Sequence, residues 1–384
     1  MNKNIELQLL RAIAVTFAMI EHIPFLYVSA LNPLRPYFGF WCGVDLFFVI
    51  SGFVITKSLY PLLNSVQTGG DWKRHLQLFW IKRVFRILPA AWLWLALTLV
   101  IAALLNGTAM FPQFSTTLKD AAAGLFNYAN FHWAACWVNQ TFGKTCSGPA
   151  VLAHYWTLSL EEQFYLVYPI LLIIVPNRIR SLLIISLILY LSTVIRGPLG
   201  WGWHNRIDGL AWGVLLALYL KDKELPVIHS TALLHALRIS APLLLLALLW
   251  WAGGGTTWYQ AHWHAFPRFW LALLAFISML LVLLAIFQQQ LIWLPAPLRR
   301  IVSNIGDRSY ALYLAHCPSF ALVKSIAIFL GFQHGWISVL GTICMGFVVS
   351  YLLAELTYRW VEVPCRKFGT HLATQQTSTA AIKL

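Results

Sequence analysis

The chain has 384 residues, 59% of them hydrophobic and only 10% charged, with 19 Trp, whereas ordinary soluble domains are about 45–50% apolar and about 25% charged. No single soluble core absorbs so much apolar surface, and apolar runs of membrane-spanning length recur along the chain, so a soluble domain is excluded. The net charge of +14 would suit nucleic acid, but its distribution (below) assigns it to membrane topology, and no nucleic-acid partner is expected.

In chain order, the apolar runs predict an all-α integral membrane bundle of about ten transmembrane helices, at 9–29, 38–56, 87–105, 155–175, 181–195, 206–220, 239–252, 266–287, 309–330 and 336–357. The fifth and seventh are short for a full span. The first imitates a signal peptide, with Lys3 ahead of it and Val28-Ser29-Ala30 as a cleavage-like sequence. Arg11, Glu21 and His22 inside the run favour a retained helix, because ionisable groups are expensive in a disposable apolar segment. One transmembrane domain is expected over 1–368, followed by a loose cytoplasmic tail over 369–384.

With the N-terminus inside, 20 of the 27 Lys and Arg residues fall on inward segments and 7 on outward ones. Such a split predicts an even number of spans, both termini in the cytoplasm, and contact with membrane lipid on every side. The largest outward segment, 106–153, holds Cys136 and Cys146, which either bridge in an oxidising compartment or are unrelated thiols. Cys42, Cys317, Cys344 and Cys365 are expected to be small buried apolar residues.

Three constellations carry chemistry. Arg11 and His22 are eleven residues apart, almost three helical turns, so they share a face about 16 Å apart along the axis. A neutral imidazole suits general-base work and a guanidinium at the membrane mouth suits phosphate; a structural His and a snorkelling Arg are the alternative. Arg83 and Arg86, at the cytoplasmic entry of the third helix, are i, i+3 neighbours able to clamp one phosphate-rich ligand, or else topology determinants. Asp45 and the pair Glu161-Glu162 lie about two turns below the outer surface, near the depth of His22. They are candidates to orient or acidify that His, or else ion pairs between helices. Arg206 and Asp208 are expected to pair, and His316 to be structural. His262-Trp263-His264, with His132, His154 and His204, makes a poor metal set at this spacing, and no metal is expected.

Together these segments resemble the acyltransferase-3 family of bacterial membrane acyltransferases. The matching pieces are Leu10–Val15 leading to His22, Gly43–Phe53, Arg83 with Arg86 and Ile87-Leu88-Pro89, Trp156–Tyr165, Arg206–Gly209, and Gly306–His316, in the family's order from about residue 6 to residue 367. The resemblance implies an O-acetyltransferase-like enzyme of the bacterial inner membrane. It would carry an acyl group, usually acetyl, from cytoplasmic acyl-CoA to a hydroxyl of a cell-surface glycan or its lipid-linked precursor, of O-antigen or exopolysaccharide type. The resemblance makes Arg11, His22, Arg83 and Arg86 functionally essential; from their positions, Arg11, Arg83 and Arg86 are expected to hold the donor phosphates and His22 to take the acceptor proton, with Asp45 or Glu161 steadying the imidazole and an acyl-histidine intermediate left open. Glu21 beside His22 departs from the expected apolar residue. The extra hydrolase-like domain of some larger members is lacking, so acceptor handling is expected within the membrane domain and its outer loops. The competing class is a transporter or flippase for a lipid-linked glycan, which an inverted repeat would favour; none is evident.

Overall fold

The computed structural model describes residues 4–23, 33–34, 36–194, 196, 206–263, 268–332 and 335–381. Among the described residues the chain is helical, and the only bridge is an isolated one between Phe142 and Cys146. The helices are α1 (Ile5–Glu21), α2 (Gly43–Ser58), α3 (Tyr60–Thr68), α4 (Trp72–Leu104), α5 (Phe114–Leu125), α6 (Ala129–Asn139), α7 (Tyr155–Ile174) and α8 (Asn177–Thr193). They continue with α9 (Asp208–Leu220), α10 (Thr231–Trp250), α11 (Thr256–Trp263), α12 (Trp270–Ile286), α13 (Ala296–Asp307), α14 (Ser309–Phe329), α15 (Trp336–Thr357) and α16 (Val363–Ala381). Among the described residues, six segments are long and apolar enough to cross a membrane: Phe40–Ser58, Trp72–Leu104, Tyr155–Ile174, Thr231–His262, Ser309–Phe329 and Trp336–Gln375.

Several boundaries differ from those expected. Helix α1 stops at Glu21 rather than running to 29, because Pro24 lacks an N–H and its ring disfavours helical backbone in the residue before it. Helix α4 begins fifteen residues early: Asp71 caps it by accepting from Arg74 N at 3.1 Å, and its 33 residues make it about 50 Å long. Arg83 and Arg86 therefore lie well inside a continuous helix. The 106–153 segment contains α5 and α6, and α16 runs over the stretch expected to be loose, through Ala381. Val28-Ser29-Ala30, Arg35, His204 and His264 lie outside the described residues.

The chain divides into two compact units, Met1–Lys57 with Asn177–Tyr313, and Ser58–Pro176 with Leu314–Leu384. In the first, α12 is the central helix: Leu274, Ala275, Leu281, Val282 and Ala285 are fully buried, as expected of a helix that is apolar on every side. α1, α9 and α10 pack on it, and α13 packs on α1. Glu6 at the start of α1 accepts from Gln290 N and Ile292 N, both at 2.9 Å, and Asn4 donates to Ala285 O at 2.9 Å. These bonds fix the N-terminal end of the helix that carries Arg11 and His22. Helices α2 and α9 meet through glycine: Gly209 and Gly213 of Gly-Leu-Ala-Trp-Gly lie against Asp45 O, Val49 O and Phe53 N, and Gly52 lies against Leu210 O. Small residues four apart let two backbones approach this closely.

In the second unit α4 packs against α16, α5 and α3, and α6 packs against α7. Apolar helices bring polar anchors with them. Trp94 Nε1 donates to Thr357 Oγ1 at 3.1 Å, Tyr155 OH to Ala91 O at 2.8 Å, and Trp80 Nε1 to Tyr165 O at 3.0 Å. Cys136 and Cys146 form a disulfide with their Cα atoms 6.4 Å apart. Cys344, expected inside, is exposed on α15; a lipid-facing surface is as apolar as a core, so an apolar pattern does not say which way a residue faces.

Candidate active site

His22 is the C-cap of α1. Its Nδ1 lies 2.7 Å from Ala18 O, one of the carbonyls that a helix end leaves without an intrahelical partner. A carbonyl only accepts, so Nδ1 carries the hydrogen and Nε2 presents the lone pair. This bond satisfies one ring nitrogen as in a structural histidine, and in the same stroke it selects the tautomer that a general base needs. Arg11, half-buried on the same helix, lies three turns closer to its start.

Asp45 does something other than the expected steadying of His22. Fully buried in the first turn of α2, it accepts from Arg206 Nε at 3.1 Å on one oxygen and from Arg206 Nη2 on the other. The Arg206 guanidinium also lies over the Trp41 ring, 4.5 Å from its centroid. Asp208 opens α9 and takes both terminal nitrogens of Arg196, each at 2.7 Å. The expected pairing of Arg206 with Asp208 is thus replaced by two forked pairs, Arg206 with Asp45 and Arg196 with Asp208. All four side chains are buried, and a buried charge needs such a partner. Sequence spacing carries no trace of the first pair, whose members are 161 residues apart.

The second unit places Arg83 between two rings, 5.4 Å from the centroid of Phe79 and 5.5 Å from that of Tyr165, with Nη2 donating to Ser58 Oγ at 3.2 Å. Stacking and one hydrogen bond hold the planar fork while leaving other N–H directions for a ligand. Arg86 follows one turn later on α4, also half-buried. Glu161 accepts from Tyr165 OH, so this carboxylate belongs to the Arg83–Tyr165 patch of α4 and α7.

Asn127, Asn130 and Asp120, which the sequence did not single out, add polar contacts to this unit. Gln163 Nε2 donates to Asn127 O at 2.7 Å and to Asn130 Oδ1 at 3.0 Å, clamping the α5–α6 turn, where Asn127 adopts φ 55°. Polar amides inside an apolar stretch were the available signal. His132 Nε2 lies 2.8 Å from Asp120 Oδ1, and His132, Cys136 and Cys146 present ligand atoms within 4.8 Å of one another. The two sulfurs are bonded to each other, so they offer no thiolate to a metal. The His316 ring, in α14, lies tilted against that of His154 at 5.2 Å and edge-on to Phe320 at 6.2 Å.

A model of the acyltransferase-3 family, described as an acyltransferase domain, matches residues 4–355. The chain is 30% identical over 382 residues to the O-acetyltransferase OatA of Staphylococcus aureus, covering 94% of this chain and 57% of that protein. It is 26% identical over 377 residues to the peptidoglycan O-acetyltransferase OatA of Listeria monocytogenes, covering 94% of this chain and 55% of that protein. The chain thus spans about half the length of the curated relatives it matches. No solved structure matches it. With the family pattern running through nearly every described helix, this chain belongs to the acyltransferase-3 family.

Proposed function

We propose that this protein is a membrane O-acetyltransferase moving an acetyl group from cytoplasmic acetyl-CoA to a glycan hydroxyl on the outer side. The observation that carries this reading is the family match over residues 4–355 together with relatives named O-acetyltransferase. The relatives' names favour a peptidoglycan sugar over the O-antigen or exopolysaccharide acceptor expected from the sequence. Ten spans are obtained when α1, α8, α9 and α12 join the six long apolar segments, which returns both termini to the cytoplasm, in keeping with the 20-to-7 charge split.

In this mechanism the role of Arg11, Arg83 and Arg86 is to hold donor phosphates through charge-assisted hydrogen bonds. His22 Nε2 takes the proton of the acceptor hydroxyl; the oxygen attacks the thioester carbonyl, and the coenzyme A thiolate leaves with a proton returned from the imidazolium. Asp45 acts through Arg206, holding α2 to the segment before α9, and is a positioning residue. Glu161 orders the Arg83 patch through Tyr165.

The test uses the full chain in nanodiscs with isotope-labelled acetyl-CoA and a peptidoglycan fragment. Free coenzyme A and an acetylated fragment should appear in equal amounts. A protein that releases no coenzyme A in the presence of acceptor is a transporter or flippase rather than this enzyme.

A further inference from the structure

We infer that His132 and Asp120, with the rings of Tyr128 and Phe131, form a glycan-binding subsite on the 106–153 segment. This rests on the reading above, in which a glycan acceptor arrives on the side of the membrane that this segment faces.

Asp120 is fully buried on α5. Its Oδ2 accepts from Ser147 N at 3.0 Å, while Oδ1 faces His132 Nε2 at 2.8 Å. This bond uses Nε2, so Nδ1 is the ring nitrogen turned away from Asp120 and placed to meet a ligand. The His132 side chain is 13% exposed, so it is not sealed inside the fold. Asp120 orients the ring, while the Cys136–Cys146 disulfide and the Gln163 clamp on the turn that precedes α6 hold the stretch of chain that carries it. Such a fixed hydrogen-bonding group binds a hydroxyl with little ordering cost.

Beside it stand two open rings. Positions 128, 131 and 132 share one helical face. Tyr128 is 42% exposed and Phe131 53%, and the Tyr128 ring stands edge-on to His132 at 6.3 Å. A pin between α5 and α6 would need only the Asp120–His132 bond, not aromatic surface left in the open around it. Sugars present apolar C–H faces and polar hydroxyl edges, and flat rings next to a fixed hydrogen-bonding group match both. Lipid is the competing occupant of exposed rings, but an oriented imidazole is expensive in hydrocarbon and suits the water side.

The test measures binding of the β-1,4-linked N-acetylglucosamine tetramer to the full chain in nanodiscs. Tyr128→Ala, Phe131→Ala and His132→Ala should each weaken it about tenfold, equivalent to about 1.4 kcal/mol, while coenzyme A binding changes less than twofold. The proposal is overturned if the parent does not bind the tetramer or if all three variants bind it equally well. It is also overturned if only His132→Ala weakens binding and does so with a lowered melting temperature, or if a polarity-sensitive dye on Ala135→Cys reports lipid immersion that the tetramer leaves unchanged. Tetramer binding without acetyl transfer would sink the enzymatic reading and leave the subsite standing; transfer that is indifferent to these variants would do the reverse.

Discussion

Asp45 and Arg206 are both buried, and each satisfies the other through a forked pair, so removing one strands a charge. Asp45→Ala or Arg206→Ala should each cost about 3–5 kcal/mol, whereas the double variant should cost less than the sum because no orphan remains. Thermal unfolding in detergent reads this; single losses below about 1 kcal/mol, or strict additivity, would refute the pairing. Arg83 differs, since it is half-buried and partnered by rings and a hydroxyl. Arg83→Ala should weaken coenzyme A binding about 10- to 100-fold, with Arg83→Lys rescuing only part, because a lysine keeps the charge and loses the stacked fork. Calorimetry showing full rescue by lysine would remove the geometric argument. At this scale the sequence revealed which groups were out of place in an apolar chain. It concealed their partners, because Asp45 and Arg206 are distant in the chain and only folding brings them together.

At the scale of elements, the apolar helices were legible and the polar ones were not. The interiors of α7, α9, α14 and α15 fall where apolar periodicity put them. The first half of α4, with Lys73, Arg74, Lys82 and Arg83, has no apolar stripe to announce it and depends on the Asp71 cap. α13 differs: Arg299 and Arg300 share it with a pronounced apolar face, so it is an amphipathic helix that a reading by membrane-spanning apolar runs passes over. The Gly209–Gly213 spacing of α9 was readable but its use was not, since only the structure sets it against α2. A methyl group at Gly213 would meet Phe53 N at 2.7 Å and Gly52 Cα at 3.0 Å. Gly213→Ala should therefore destabilise by about 1–3 kcal/mol through overpacking. Gly341→Ala, with nothing within 4 Å, should be neutral or stabilising by up to about 1 kcal/mol from helix propensity. Equal melting temperatures for the two variants would mean that α2 and α9 are not packed this closely.

At the scale of the whole molecule, the proposed function requires donor chemistry on one side of the membrane and acceptor chemistry on the other. Basic residues crowd the segments read as cytoplasmic, and the disulfide lies in the segment read as external. Single cysteines at the exposed positions Thr68 and Ser115 should be labelled by an impermeant maleimide from opposite sides; labelling of both from one side would contradict the ten-span arrangement. The central claim is that His22 does the chemistry while the arginines hold the donor. The most direct measurement compares coenzyme A binding and acetyl transfer to a peptidoglycan fragment in the parent and in His22→Ala, using correctly inserted protein. The account predicts donor binding within about twofold of the parent and transfer reduced by about 10²–10⁴-fold, the usual contribution of a general base. Transfer at the parental rate, or loss of donor binding, would contradict it.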